Sequence, residues 1–243
     1  MTTATEPQTI TVREIALQTS EATRVLEKFG IDYCCGGHRP LADAAAEANV
    51  TVDEVLRAID AASSDTAART ATTDWQKASL TALAEHINAT HHVYVKTEIP
   101  RIQALATKVV SVHGARHPEL SQVEEVFDNL ADELTSHLMK EEQILFPYVI
   151  AMDRAQSTGE PLPHSCFGTV QNPIRMMFLE HDNAGAALKE LRQLTSNYTA
   201  PGDGCVSYQT LYKALADFEA DLHQHIHKEN NILFPRAIQL ESR

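Results

Sequence analysis

The sequence predicts an all-α protein, an antiparallel four-helix bundle preceded by a small helical domain. Glycine is scarce, with 9 among 243 residues, while Ala, Glu, Leu and His are common, and this composition favours helices. From Trp75 onward, apolar residues recur at helical spacing in four long stretches joined by short links, which fits an up-down-up-down bundle. A similar eleven-residue segment begins at positions 137 and 225, which indicates two related helical hairpins.

Composition restricts the class of protein. A formal net charge of −13 argues against nucleic acid as a partner, because phosphate binding needs clustered Lys and Arg. No apolar run reaches membrane-spanning length, and the first residues lack the basic and apolar regions of a secretion signal. We therefore expect a soluble, cytoplasmic protein without membrane association. The four cysteines do not resemble a disulfide framework, because Cys34 and Cys35 are adjacent while Cys166 and Cys205 lie far away.

Three regions are predicted along the chain. Residues 1–62 form a small helical domain, in which Ser20 is expected to cap a helix that ends near Gly30. Residues 63–74, poor in large apolar side chains, are expected to form a linker, and 75–243 the bundle.

The bundle helices are assigned from apolar periodicity, with a bend expected at Pro100. Pro147 and Pro235, which follow the repeated segments, are expected to end or kink their helices. The four predicted helices cover residues 79–113, 119–152, 174–195 and 207–240, and the longest connection covers 157–173.

The repeated segment carries the main chemical signal. The first copy runs His-Leu-Met-Lys-Glu-Glu-Gln-Ile-Leu-Phe-Pro from His137, and the second runs His-Ile-His-Lys-Glu-Asn-Asn-Ile-Leu-Phe-Pro from His225. Each copy has a glutamate, Glu141 or Glu229, four residues after its histidine, so the two side chains share one helix face. An imidazole and a carboxylate so placed can hold one metal ion together. A single pair of this kind is usually a weak surface interaction, but the presence of two near-identical copies favours a shared metal site.

Pseudo-symmetry then predicts matching histidines on the first and third helices. The third predicted helix offers His181, and the corresponding position on the first is His92. The interval from 92 to 137 is 45 residues and from 181 to 225 is 44, so the spacing agrees. His91 and His86 are rivals, but His91 points about 100° away from His92 on a helix.

The predicted ligand set is therefore four histidines and two bridging glutamates: His92, His137, His181, His225, Glu141 and Glu229. Imidazole accepts zinc, copper, iron or nickel, and bridging carboxylates favour octahedral iron or manganese. A closed tetrahedral zinc site would not need two carboxylates, so a pair of iron ions is favoured over other metals. Three further acidic residues either orient the imidazoles or belong to a solvated acidic face, and the sequence leaves both readings open: Glu133, Glu180 and Asp221. The remaining histidines of these helices are expected to be surface or packing residues: His86, His91, His223 and His227.

The His-x3-Glu pattern on paired helices resembles the hemerythrin-like proteins and differs from ferritin-like bundles, which use Glu-x-x-His. Together with Asp32-Tyr-Cys-Cys-Gly-Gly37 and the two Ile-Leu-Phe-Pro segments, it is similar to the repair-of-iron-centres family. Over nearly the whole chain, this resemblance implies a bacterial cytosolic protein with two non-haem irons, joined by an oxo bridge and by carboxylates. It also implies that the six residues above are iron ligands and that Cys34 and Cys35 match the family's cysteine pair.

Two departures accompany the resemblance. The connection 157–173 is longer than in short family members and adds Cys166. Relative to oxygen-carrying hemerythrins, the symmetric site lacks an additional histidine on one iron, which argues against reversible oxygen carriage.

Cys34 and Cys35 are predicted to be accessible, because two glycines follow them in a loop. Adjacent cysteines close a disulfide only in a strained turn, and they chelate less well than Cys-x-x-Cys. They are therefore candidate thiols for accepting iron, reacting with nitric oxide or forming a transient disulfide. The alternative is that they are two buried small apolar residues.

The leading functional interpretation is repair of iron–sulfur clusters damaged by oxidative or nitrosative stress, through iron supplied to damaged client proteins. One alternative is a di-iron enzyme that reduces nitric oxide or peroxide. Another is a gas or redox sensor, with nitric oxide or oxygen species as ligands. The sequence leaves the oligomeric state open, including a homodimer.

Overall fold

In the computed structural model, which describes residues 10–64 and 73–242, the regular secondary structure is helical, with one isolated antiparallel bridge between Thr11 and Pro40. This confirms the predicted all-α class. Within the described ranges, no helix combines the length and the apolar character needed to cross a bilayer. The predicted linker falls largely on residues 65–72, which lie outside the described ranges.

The described residues form two compact units. One contains residues up to Ala78 together with Ile226–Pro235, and the other contains Ser79–His225 and the residues from Arg236. The helices of the first unit that precede Ala78 are α1 Val12–Ala16, α2 Ser20–Lys28, α3 Leu41–Glu47 and α4 Val52–Ser64, with a 3₁₀ turn at Gly36–His38.

Side-chain caps fix the starts of these short helices. Thr11 and Glu14 form a reciprocal capping box at α1, and Thr51 and Glu54 form another before α4. At α2 the sequence assignment was wrong by one position: Thr19 is the cap, and its hydroxyl accepts from the Ala22 N–H at 3.1 Å.

Gly30 ends α2 in the left-handed region, at φ 68°, where a side chain would be strained. The next N–H, from Ile31, then donates to the Leu26 carbonyl at 2.9 Å. The core enclosed by these helices includes Val12, Leu26 and Val55, each 0% exposed. Apolar burial at helical spacing therefore holds the small unit together.

The chain from Ser79 forms four helical paths, as predicted, and the connections between them cover residues 114–118, 159–170 and 195–205. Three of the paths contain a single π-helical turn, in which each residue bonds five positions back. The elements are α5 Leu80–Ile87, a first π-turn Asn88–His92, α6 Val93–His113, α7 Glu119–Lys140, a second π-turn Glu141–Leu145, α8 Phe146–Thr158, α9 Gln171–Leu194, α10 Val206–Lys228, a third π-turn Glu229–Leu233 and α11 Phe234–Glu241.

The predicted role of the prolines as helix terminators was wrong. Pro147 lies in the first turn of α8, and Pro235 is the second residue of α11, directly after the second and third π-turns. Proline is tolerated in a first helical turn because the missing N–H has no helical acceptor there. The π-turn restarts the α-helix just before each proline, so the helical path continues to Thr158 and to Glu241. Pro100 lies inside α6, which also continues.

Aromatic and ionic contacts connect the helices of the second unit. Phe218 on α10 packs edge-on against Phe127 of α7, with ring centroids 5.4 Å apart. Arg192 on α9 donates through Nε to Glu219 on α10 at 3.2 Å, and Glu219 is 3% exposed. The connection after α8 is fixed at its end, where the Val170 N–H donates to Glu241 at 2.9 Å.

Candidate metal centre

The candidate ligands occur where the helical register changes. His92 is the last residue of the first π-turn, and Glu141 and Glu229 are the first residues of the second and third. His137 precedes Glu141 on α7, and His225 precedes Glu229 on α10. The fourth histidine, His181, lies on α9, which has no π-turn. Single π-turns often occur at functional sites, and here each contains a candidate ligand.

All six side chains are buried, and none is more than 2% exposed. The Nε2 atoms of His92 and His225 lie 3.2 Å apart, and those of His137 and His181 lie 3.1 Å apart. One carboxylate oxygen of Glu141 reaches both pairs, at 3.4 Å from His92 and 3.3 Å from His137.

The ligand atoms fall into two groups that share both carboxylates. His92 and His225 belong to the first group, His137 and His181 to the second, and Glu141 and Glu229 occur in both. Within each group the ligand atoms lie within 4.8 Å of one another. The structure therefore brings together the six residues that the repeat selected.

This donor set fits metal cations. Each group offers two imidazole nitrogens and two carboxylates, which is the chemistry that iron accepts in proteins. Burial of two carboxylates, both 0% exposed, is costly unless positive charge is supplied nearby. A cation in each group would supply that charge.

Acidic residues hold two of the imidazoles from their outer side. His92 Nδ1 lies 2.9 Å from Glu142, and His137 Nδ1 lies 2.8 Å from Glu180. When Nδ1–H donates to a carboxylate, the ring keeps its lone pair on Nε2, the atom that faces the site. Lysines contact both acids: Lys96 donates to Glu142 at 2.6 Å, and Lys140 donates to Glu180.

These contacts change the acidity of the carboxyls. The hydrogen bond with His137 lowers the pKa of Glu180 to about 2, and the Lys140 contact acts in the same direction against partial burial. For Glu142, partial burial raises the pKa, but the hydrogen bonds from Lys96 and His92 outweigh it and the net shift is downward. Both acids are therefore charged acceptors at neutral pH.

The acidic residues proposed from the sequence have different positions. Glu180 contacts a candidate ligand, whereas Asp221 hydrogen-bonds His91 Nδ1 at 2.9 Å. Glu133 is exposed, and among the described residues it has no hydrogen bond to a candidate ligand. Sequence reasoning missed Glu142, because the repeat places Asn230 at the corresponding position and so gave no signal there.

Histidines outside the ligand set pack around it. His91 is 6% exposed, and its ring stacks parallel on that of His225 with centroids 5.5 Å apart. His227 is 5% exposed and contacts the edge of Tyr33 at 5.4 Å. Burial, with Lys228 nearby, lowers the pKa of His227 to about 4. Of the two roles expected for these histidines, packing applies to His91 and His227.

The cysteine loop in the first unit is less accessible than predicted. Cys34 is 4% exposed and Cys35 is half-buried, with their sulfurs 3.8 Å apart and no disulfide between them. Asp32 Oδ1 accepts from both backbone N–H groups, at 3.0 and 2.9 Å. A hydrogen bond with Cys35 and burial raise the pKa of Cys34, so that thiol is protonated at neutral pH. The three residues together still form a group that could hold a cation.

Two asparagines of the third π-turn hold this loop in place. Asn230 Nδ2 donates to the Cys34 carbonyl at 3.2 Å, and Asn231 Nδ2 donates to the Tyr33 carbonyl at 3.0 Å. A Cβ on Gly37 would lie 3.1 Å from Asn231 Oδ1, so the close approach favours glycine there. The cysteine loop is therefore bonded to the turn that begins with Glu229.

Comparison with known proteins agrees with this architecture. Residues 83–237 match the family described as the hemerythrin HHE cation binding domain, and residues 8–63 match a family described as a domain of unknown function, ScdA_N. A probable iron-sulfur cluster repair protein of Haemophilus influenzae is 35% identical, over 93% of this chain and 95% of its own. The iron-sulfur cluster repair proteins YtfE of Escherichia coli O81 and Escherichia fergusonii are each 35% identical, over 93% of this chain and 94% of their own. Because these matches span almost the whole of each chain, the protein belongs to the hemerythrin HHE family and, within it, to the family of the iron–sulfur cluster repair proteins.

Proposed function

We propose that this chain is a di-iron protein that restores damaged iron–sulfur clusters by supplying iron to them. The observation that carries the proposal is the pair of histidine groups that share two buried carboxylates, Glu141 and Glu229. The hemerythrin-like domain implies that iron is the bound metal. The relatives are named as iron–sulfur cluster repair proteins, and they align with both parts of the chain.

In this proposal two irons would be held, each by its own pair of imidazoles and by the two shared carboxylates, Glu141 and Glu229. His92 and His225 hold one ion, and His137 and His181 hold the other. When bound, iron supplies the transferable ion and two accessible oxidation states. Ferrous iron would be held less tightly than ferric iron by these carboxylates, because its charge is lower, so the ferrous ion is the form expected to be donated.

The protein's own residues perform three tasks. Glu142 and Glu180 keep the imidazole lone pairs directed at the site. Buried apolar side chains, including Phe146 at 0% exposure with its ring against His92 at 5.5 Å, limit water access. The group formed by Asp32, Cys34 and Cys35 offers a second place for a cation, and we assign it to receiving iron or docking the client.

Clients, ligands and cellular location complete the proposed function. The clients are proteins with damaged iron–sulfur clusters, and nitric oxide or oxygen species are ligands of the bound iron. We place the protein in the cytoplasm, with residues 1–62 as a separate cysteine-bearing domain, 63–74 as a linker and 75–243 as the iron-binding bundle. A homodimer is compatible with this scheme.

Metal analysis tests the site. We expect about two irons per chain in the wild type, and fewer in Glu141→Ala and in Glu229→Ala, because each removes a shared ligand. Glu98→Gln is the matched control, since Glu98 is a carboxylate of α6 that pairs with Arg101. Full iron content in both alanine variants, with folding shown by circular dichroism, would overturn the ligand assignment.

Reactivation of an apo iron–sulfur enzyme tests the function. The iron-loaded chain should restore more activity than equimolar free ferrous iron does in the presence of a weak chelator. Glu141→Ala should restore no more than free iron. Equal restoration by free iron would contradict iron donation, and sustained nitrous oxide production with a reductant would instead favour a reductase.

A further inference from the structure

A second thiol site lies outside the candidate metal centre, at the start of α10. Cys205 directly precedes Val206, the first residue of that helix, and its side chain is exposed. His113, the last residue of α6, lies with Nε2 3.1 Å from the Cys205 sulfur. The imidazole is only 4% exposed, so a buried base contacts an exposed thiol.

The sulfur also lies among helix N–H groups. Backbone N–H groups of Ser207 and Tyr208 donate to the Cys205 sulfur, and α10 extends 23 residues beyond it. Unpaired N–H groups at the start of a long helix favour negative charge. These backbone contacts, followed by the hydrogen bond from His113, lower the pKa of Cys205 to about 7.

The buried environment of His113 fixes which ring nitrogen holds the proton. The ring of Tyr208 meets it edge-on, with centroids 5.4 Å apart. Nδ1 of His113 is buried and has no hydrogen-bond partner among the described residues. A proton on Nδ1 would therefore be buried without an acceptor, which is costly. The proton belongs on Nε2, from which it donates to the sulfur of the thiolate.

Other titratable groups surround the pair, and they carry both signs. His117 Nε2 lies 3.1 Å from Asp203, and Arg116 contacts the same carboxylate at 3.3 Å. His113 from α6 contacts the sulfur. The titratable groups connected to it in the same cluster are Arg116 and His117 from the following connection, Glu119 from α7, Asp203 from the preceding loop and Tyr208 from α10. Since the acids are already paired with His117 and Arg116, they offset little of the stabilisation of the thiolate.

Cys205 differs from the other three cysteines. Cys34 is buried and Cys35 is half-buried beside it. Cys166 is exposed and lies in the connection between α8 and α9, away from the start of a helix. Exposure and thiolate stabilisation therefore coincide at Cys205, and this combination makes a cysteine reactive.

We propose that Cys205, with His113 as its positioning residue, is a redox modification site that forms a mixed disulfide with low-molecular-weight disulfides. The Cys205 thiolate attacks one sulfur of the reagent disulfide. A protein–reagent S–S bond forms, the reagent S–S bond breaks, and the second reagent sulfur leaves as a thiolate with the electron pair. Cys205 is oxidised and the leaving sulfur is reduced, so no further oxidant is needed. This proposal does not rest on the iron-repair function.

The pH dependence of the reaction with oxidised glutathione tests the proposal. The iron-loaded Cys166→Ala chain is used, and the Cys205 adduct is quantified by mass spectrometry of peptides. The same thiol in the urea-unfolded chain is the reference. Thiolate fraction and nucleophilicity together predict that folded Cys205 reacts about sixfold faster than the reference at pH 6 and about fourfold slower at pH 9. Slower reaction at both pH values, or a rate midpoint at or above pH 8.5, would overturn the proposal.

Variants at His113 test its role as the donor. His113→Phe should raise the pH at which Cys205 reacts at half its maximal rate. The substitution removes the Nε2–H donor but keeps an aromatic ring in the same space. His113→Gln, whose amide can donate from a similar position, should restore part of the shift. An unchanged midpoint in a folded His113→Phe chain would remove His113 from the proposal. If His113→Phe does not fold, the pH profile of the wild-type chain tests whether Cys205 is reactive. His113→Gln then tests whether His113 is the hydrogen-bond donor. Cys205→Ser should lose the adduct and keep its full iron content.

Discussion

The candidate ligand histidines are oriented by acids that lie behind them. Glu142 and Glu180 accept from the Nδ1 atoms of His92 and His137, while Lys96 and Lys140 balance their charge. A carboxylate behind a ligand imidazole fixes the tautomer and raises the basicity of the atom that binds metal. These acids should therefore affect iron affinity without touching iron.

Glu180→Gln should weaken iron binding by about 10- to 100-fold, the usual effect of removing such a partner. The amide is a poorer acceptor for His137 Nδ1–H, although its size is unchanged. Competition with a chelator of known affinity measures the change, and Glu98→Gln serves as the control. Equal affinities in the two variants would show that Glu180 does not orient the ligand.

His227 should make stability sensitive to mild acid. Burial lowers its pKa to about 4 from an ordinary 6.5, so the unfolded chain binds more protons between those values. The contribution of uncharged His227 to the free energy of unfolding is fully present above pH 6.5. It is lost as the pH falls toward 4, and the loss is about 3 kcal/mol at most.

Denaturant unfolding of the metal-free chain at pH 7, 5.5 and 4.5 measures this loss. His227→Gln should show a smaller decrease over that range than the wild type, because the remaining groups titrate equally in both. If the free energy of unfolding fell equally in both chains, His227 would not be the group responsible for the acid sensitivity.

At the scale of the helix, each π-turn keeps the helical path continuous but changes the register of the residues that follow it. Each places a candidate ligand at one of its ends, and the second and third precede Phe-Pro. One extra residue per turn rotates the following helix relative to its α-helical course. The third π-turn also carries Asn230 and Asn231, which bind the cysteine loop through side-chain amides. One short element thus contacts the loop and begins with a candidate ligand, Glu229.

Asn231→Ala should loosen the cysteine loop. The variant loses the hydrogen bonds that the Asn231 amide donates to the Tyr33 carbonyl and to His227 Nδ1, and a hydrogen bond of this kind typically contributes about 0.5–1.5 kcal/mol. Cys34 should therefore be alkylated about tenfold faster than in the wild type, as measured by mass spectrometry under native conditions.

Gln76→Ala is the matched control, because Gln76 also donates a side-chain amide to a backbone carbonyl, that of Leu17, in the same unit. It should leave the alkylation rate of Cys34 unchanged. Equal acceleration by both variants would indicate general destabilisation rather than release of the loop.

At the scale of the whole molecule, the candidate site depends on all four helical paths. Histidines come from the first π-turn, α7, α9 and α10, so the unfolded chain cannot present them together. A ligand that binds only the folded chain stabilises it by mass action. Iron content and thermal stability should therefore change together.

Ferrous iron at 100 times its dissociation constant should stabilise the folded chain by about 2.7 kcal/mol. For a chain of this size, that corresponds to a rise in Tm of about 5–10 °C. Anaerobic calorimetry with and without a chelator measures the rise. Glu141→Ala combined with Glu229→Ala should show no dependence of Tm on iron, and a full rise in that double variant would place the metal elsewhere.

The sequence by itself determined the helical class, the bundle, the family and the six residues selected by the repeat. The class, the bundle and the selection of the six candidate ligands follow from local periodicity and from two matching segments, because a helix positions residues four apart on one face whatever surrounds it. The family follows instead from the resemblance of the His-x3-Glu segments and of Asp32-Tyr-Cys-Cys-Gly-Gly37. The apolar pattern could not show the π-turns, because each adds only one residue to one helical turn and so changes the spacing of apolar residues very little. It therefore misjudged Pro147 and Pro235 as helix ends.

Only the tertiary structure decided which residues meet across helices. It placed Glu142 behind His92, paired Asp221 with His91, buried Cys34 and brought His113 to Cys205, 92 positions away. Such contacts depend on the packing of distant segments, and burial and hydrogen bonding then raise the pKa of Cys34 and lower the pKa of Cys205 and Glu180. Chain order determines which chemical groups share a helix, while packing determines which partners each group has.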